Sequence, residues 1–213
     1  MKTIAILGPT ASGKTALSID LALEYNAVIL SLDSLSIYTH IDIASAKPSL
    51  AERHGIVHFG IDVLLPNAHF DVTMSFELYV QAKVYALSHK KNLIIVGGTG
   101  FYLKAMMEGL SLRPELSLHV KTVIAQKLLD LEASYALICE HDPLYAQKIA
   151  SNDRYRIEKW LEIFIATQQT PSDYLRHAKQ PALLKDIALF EIEIPKDSLI
   201  HRVQKRTRLM FEQ

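Results

Sequence analysis

Gly8-Pro9-Thr10-Ala11-Ser12-Gly13-Lys14-Thr15 stands between an apolar run, Thr3-Ile4-Ala5-Ile6-Leu7, and a helix-like segment from Ala16 to Tyr25. Two glycines with four residues between them, followed by Lys-Thr, form the pattern of a phosphate-binding loop. The glycines let the backbone curl until its N–H groups point inward. The positive end of the following helix adds to the attraction for phosphate. Lys14 is placed to reach phosphate oxygens, and the Thr15 hydroxyl to hold a magnesium ion. An ordinary Gly-rich turn is the alternative, but the strand–loop–helix context favours phosphate. The loop alone does not say which phosphate compound it binds.

Working outward, Ala16, Leu17, Ile19, Leu21, Ala22 and Leu23 predict a helix that packs on a sheet. Ala27-Val28-Ile29-Leu30-Ser31-Leu32 has the continuous apolar character of a buried parallel strand. It ends in Asp33-Ser34, and ligands of open parallel sheets bind beyond the carboxyl ends of the strands. Asp33 is therefore a candidate site residue, the alternative being a turn or helix-capping aspartate. Residues 36–48 read as a functional loop, and Val57 to Val63 as a strand carrying a structural His58. Phe70 onward predicts a helix with Phe76, Tyr79, Val80, Val84 and Leu87 on one face. Leu93-Ile94-Ile95-Val96 is a second buried strand, and Gly97-Gly98-Thr99-Gly100 brings a hydroxyl to the same sheet edge. Phe101, Leu103, Met106 and Met107 predict a helix whose apolar stripe is core.

From Leu112 to Leu184 strand-like runs give way to helical spacing. Leu116, Val120, Val123, Ile124, Leu128 and Leu131 predict one helix, and Asp142-Pro143 and residues 149–153 are breaks. Ile157, Trp160, Leu161, Phe164 and Ile165 share a stripe at spacings of three and four. Arg154, Arg156 and Lys159 lie beside it and can present charge to a phosphate chain, or simply form a solvated face. Residues 186–194 return to strand character, and a basic helix from Lys196 places Arg202 and Arg206 on one face. The expected fold is α/β: a P-loop parallel-sheet core flanked by helices, formed by residues 1–111 and 185–213, with a helical domain, 112–184, inserted.

The 213 residues suffice for such an arrangement. Basic and acidic residues balance at 23 each, which excludes a protein coated in nucleic acid along its whole surface and leaves room for local contact. A lone cysteine, Cys139, excludes an intrachain disulfide framework and fits a reducing compartment; it reads as a small core residue. No apolar run is long enough to cross a membrane. The N-terminus begins with a strand and a functional loop, which leaves no room for a signal peptide. The expectation is a cytoplasmic, monomeric protein.

Several segments together resemble the tRNA dimethylallyltransferase, or tRNA isopentenyltransferase, family. They are GPTASGKT (8–15), DSLSIY (33–38), ASAKP (44–48), VGGTGFYLKAMMEGL (96–110), DP (142–143), NDRYRIEKWLEIF (152–164) and HRVQKRTRLM (201–210). The resemblance runs along the whole chain in order. Ser45 stands where the family commonly has Thr, which keeps the hydroxyl. Family members usually continue for several helices past Gln213, so the chain reads as shortened at its C-terminus.

The resemblance implies transfer of a dimethylallyl group from dimethylallyl diphosphate to the exocyclic N6 amine of the adenine 3′ of the anticodon, position 37, in tRNA. The loop Gly8–Thr15 would then bind the diphosphate or a nucleotide, with Thr15 on Mg2+. Asp33 matches the base, while Thr99 and Arg206 match groups that stabilise the leaving diphosphate, with Arg202 as a helper. Asp33, Ser34, Leu35 and Ser36 match one tRNA-contacting segment, and Tyr155, Arg156, Ile157, Glu158 and Lys159 match another, serving the anticodon stem-loop. The competing readings are an ATP-dependent small-molecule or nucleoside kinase with the same loop, and a non-enzymatic, nucleotide-dependent RNA-binding switch.

Overall fold

A computed structural model describes every residue except Thr99, Leu112, Gln180, Asp186 and Gln213. The chain divides into two compact units, Met1–Glu108 with Ala182–Gln213, and Gly109–Pro181.

In the first unit, β1 (Thr3–Leu7), β2 (Ala27–Leu32), β3 (His58–Phe59), β4 (Asn92–Gly97) and β5 (Ala188–Glu191) form one sheet in the order β3-β2-β4-β1-β5. Every pairing is parallel. This is the α/β fold expected from the uninterrupted apolar runs, which suit strands covered on both faces. The helices are α1 (Lys14–Glu24), α2 (Asp42–Ser45), α3 (Val72–Ser88), α4 (Gly100–Glu108) and, at the end of the chain, α10 (Lys196–Phe211). Ile6, Ile19, Ala22, Ile29, Ile94 and Val96 make a core between the sheet and α1. Leu7 and Leu32 both pair with Gly97. The chain therefore leaves β1, β2 and β4 at the same level.

Four local expectations change. Only Ser18, Ile19 and Ala22 of α1 are buried, while Leu17 and Leu23 are exposed, because a helix rests on a sheet along a single stripe. Helix α3 is capped by Asp71, whose carboxylate accepts from the Met74 N–H at 2.9 Å. It buries Ser75, Phe76, Leu78, Tyr79, Ala82 and Ala86 and leaves Val80, Val84 and Leu87 exposed. The small residues let it approach the strands closely, so they face the sheet in place of the larger valines. Strand β3 stops after two residues at Gly60, where φ is +78° and a Cβ would lie 2.3 Å from the Ser31 carbonyl oxygen. In α4, Leu103 and Met106 are core, but Phe101 is exposed.

The second unit holds α5 (Leu118–Lys127), α6 (Leu131–His141), α7 (Pro143–Ala146), α8 (Arg154–Thr167) and α9 (Pro171–His177). The single helix expected through Leu131 ends at Lys127, and Asp130 starts α6 by accepting from the Ala133 N–H at 2.9 Å. Ile124, Leu128, Ile138, Ile157, Trp160 and Leu161 form its core. The buried Asp142 carboxylate accepts from Trp160 Nε1 at 3.3 Å and from the Ser172 hydroxyl at 2.8 Å, tying α7, α8 and α9 together. Cys139 lies on the exposed side of α6 and not in the core. Among the described residues, no helix is long and apolar enough to cross a membrane.

Candidate active site

The loop after β1 has the conformation its sequence demands. Ala11 and Gly13 adopt left-handed backbone angles, φ 63° and 92°, which turn successive N–H groups to one side. Gly13 is also the N-cap of α1 and offers no capping side chain, so the first N–H groups of the helix stay available to an anion. Gly8 and Ser12 are buried, Pro9 and Ala11 half-buried, and Thr10, Gly13 and Thr15 exposed. Lys14 curls over the loop, its ammonium donating to the Pro9 carbonyl at 2.7 Å and to Ser12 Oγ at 3.4 Å.

A cavity of about 1320 Å³ opens beside the loop. Residues 11–16 line it, together with His40, Asp42, Lys47, Arg53, His54, Asp62 and Arg206. Burial holds the Lys14 pKa below that of an ordinary lysine; Arg206 pushes it the same way and Asp33 opposes both. Asp33 and Arg206, distant in sequence from Lys14, are thus both near enough to act on its charge.

Arg206 enters from α10 half-buried. Its Nη2 donates to the Ser45 carbonyl at 3.2 Å. Its Nε is buried with no hydrogen-bond partner among the described residues. Arg202, on the same helix, is exposed. Asp33 uses Oδ1 to close a turn, accepting from the Leu35 N–H at 2.8 Å and the Ser36 N–H at 3.1 Å. Ser34 and Leu35 are exposed beside it, and Ser36 is buried. Thr99 lies outside the described residues.

In the helical unit, Tyr155 and Arg156 are exposed at the start of α8, and Glu158 and Lys159 are half-buried. Ile157 is a correction to the expected tRNA-contacting set. It is fully buried among Ile124, Leu128 and Ile138, so its side chain presents no surface to a ligand. Arg156 pairs with Asp153 at 2.5 Å and Lys159 with Glu162 at 2.5 Å. The Lys159 ammonium also sits 5.6 Å from the centroid of the Tyr155 ring.

Sequence reading missed Asp62 and Arg53, which line the cavity and carry no local pattern. Lys47 lay in a quoted segment but received no role. Among the described residues, no group of three His, Cys, Asp or Glu side chains could hold a metal ion. A magnesium ion here would rest on the Thr15 hydroxyl, on substrate oxygens and on water, a habit of this ion.

The fold and the loop make this a P-loop α/β protein. Residues 36–213 match the family model described as IPP transferase. The chain is 49% identical over 212 residues to the tRNA dimethylallyltransferase of Aliarcobacter butzleri (strain RM4018), a match that covers 100% of this chain and 70% of the relative. Among solved structures, it resembles a eukaryotic dimethylallyltransferase acting on tRNA, with a TM-score of 0.86 and 25% identity, covering 100% of this chain and 53% of that one. It also resembles the tRNA delta(2)-isopentenylpyrophosphate transferase of Staphylococcus epidermidis, with a TM-score of 0.58 and 30% identity, covering 100% and 70%. The chain belongs to the IPP transferase family. It is a transferase, and the kinase reading is not favoured.

Proposed function

We propose that the chain transfers a dimethylallyl group from dimethylallyl diphosphate to N6 of the adenine at position 37 of tRNA. The observation that carries this is that Lys14 and Arg206 line one cavity at the mouth of a phosphate loop, close enough that Arg206 disfavours the charge on Lys14. An anion with several oxygens relieves that repulsion, and it offers the buried Arg206 Nε a partner.

In the reaction, the adenine N6 lone pair forms a bond to C1 of the dimethylallyl group. The bond from C1 to the diphosphate oxygen breaks, and the electron pair leaves with the diphosphate. Lys14, the loop N–H groups and Arg206 stabilise the charge that develops there. Thr99 takes its role at the leaving group from the family resemblance. N6 is a weak nucleophile because its lone pair is delocalised into the ring. Asp33 orients the amine and accepts its proton, and the Leu35 and Ser36 N–H groups hold that carboxylate in place. Magnesium, held by Thr15, would neutralise part of the diphosphate charge. The base must leave the anticodon-loop stack to react. Ser34, Leu35, Tyr155, Arg156 and Lys159 supply tRNA contacts.

Mass analysis of the tRNA anticodon loop after incubation with the chain, dimethylallyl diphosphate and magnesium tests the proposal. The expected product carries one dimethylallyl group at position 37. Transfer to any other nucleotide, or none at all, overturns it.

A further inference from the structure

Lys47 lines the cavity, and its side chain is only 4% exposed. Its ammonium donates to Asp42 Oδ1 at 2.6 Å, to the Tyr38 carbonyl at 2.8 Å and to the Asp62 carboxylate. Arg53 binds the other Asp62 oxygen at 3.2 Å and the Pro48 carbonyl at 2.9 Å. All of these residues belong to the excursion from Asp33 to Leu64, outside the main strands of the sheet.

The excursion has two arms, and Lys47 holds both. The first arm carries Asp33. The Ser36 N–H donates to the Asp33 carboxylate, the Ser36 carbonyl accepts from the Asp62 N–H at 3.1 Å, and the Asp62 carboxylate closes onto Lys47. Lys47 also grips the Tyr38 carbonyl at the far end of the same turn. The second arm is α2. Asp42, its first residue, binds Lys47, and Ser45, its last, offers the carbonyl that receives Arg206. One ammonium thus links the turn that fixes the proposed base to the platform that fixes the proposed diphosphate-binding arginine.

We infer that Lys47 is a positioning residue that holds Asp33 and Arg206 in register with one another without touching the substrate itself. The inference rests on the prenyl-transfer reading for what the register serves, but the link between the arms is a property of the chain alone. The ammonium is buried and makes a third bond, to a backbone carbonyl, although the Asp42 and Asp62 side chains stay 74% and 39% exposed. Once the ammonium is lost, the two carboxylates repel, and the arms separate at the point where they meet.

Amide hydrogen exchange on the full chain tests the link without any turnover. Lys47→Met should lower protection of the Leu35 and Ser36 amides at least tenfold, while β1 and β4 amides stay within twofold of wild type. If Lys47→Met does not fold, Asp62→Asn cuts the same link and gives the same local pattern. Unchanged protection at Leu35 and Ser36, or an equal loss across β1 and β4, overturns the inference. In parallel transfer assays, Lys47→Met should lower kcat at least tenfold, and adding Asp62→Asn should cost little more. No transfer by wild type would sink the prenyl-transfer reading and leave the exchange result to decide the role of Lys47.

Discussion

Arg206 Nη2 donates a 3.2 Å hydrogen bond to the Ser45 carbonyl, joining the last helix to a four-residue helix more than a hundred and fifty positions earlier in the chain. The bond spends one end of the guanidinium on α2 and leaves the buried Nε for a ligand. Arg206→Ala should therefore lower kcat/KM for transfer by about a hundredfold, the usual loss when one donor to a developing charge is removed. Arg206→Lys should recover little, since a flexible point charge does not reproduce the planar, fixed fork of guanidinium donors. Steady-state transfer kinetics check both.

Asp33→Asn separates the two tasks of that side chain. An asparagine oxygen can still accept from the Leu35 and Ser36 N–H groups, so the turn survives. It cannot take up the amine proton. Single-turnover transfer should fall by about a hundredfold or more, with tRNA Kd within threefold of wild type. A rate close to wild type would remove Asp33 from the role of base.

The start of α8 carries cations already matched by carboxylates of its own helix and cap. Lys159 pairs with Glu162, and Arg156 with Asp153. If Lys159 neutralises a tRNA phosphate, Lys159→Ala should weaken binding and reduce the salt slope by about 0.7 to 0.9. Glu162→Gln should do the opposite and tighten tRNA binding, because it frees the ammonium. Filter-binding titrations over a range of salt measure both slopes.

His58 sets a pH dependence of folding. Burial holds its pKa below the ordinary histidine value, Arg53 adds to this, and the hydrogen bond to the Ile56 carbonyl opposes it. The unfolded chain takes up this proton near pH 6.5 while the folded chain resists it. The contribution to stability is therefore full above that pH and is lost as the pH falls below it. His58→Gln should flatten the fall in stability between pH 7 and 5.5, read as the difference from wild type in denaturant midpoints.

The parts of the fold legible in the sequence were those with strong local grammar. The phosphate loop, the runs Ala27–Leu32 and Leu93–Val96 and the stripe from Ile157 to Phe164 needed no partner to be read. The misses came from tertiary choice. The sequence pattern put Val80, Val84 and Leu87 on the buried face of α3, but the helix buries the side carrying Ser75, Ala82 and Ala86. The end of β3 depended on the Ser31 carbonyl, contributed by another strand. Cys139 was small and apolar enough for a core, yet it falls on the outer side of α6. At the site, Asp33 and the loop announced themselves by position after strands. The union of Lys47, Asp42, Asp62 and Arg53 did not, because a charge network built from loops leaves no periodic trace.

The shared pairing of Leu7 and Leu32 with Gly97 gives the loops after β1, β2 and β4 a common datum. The height at which each loop starts is set by the backbone ladder. A substitution in the loops leaves that starting height unchanged. The vulnerable mutation is of another kind: one residue inserted within β2 would move the carboxylate by about 3.3 Å along the strand and turn it to the opposite face.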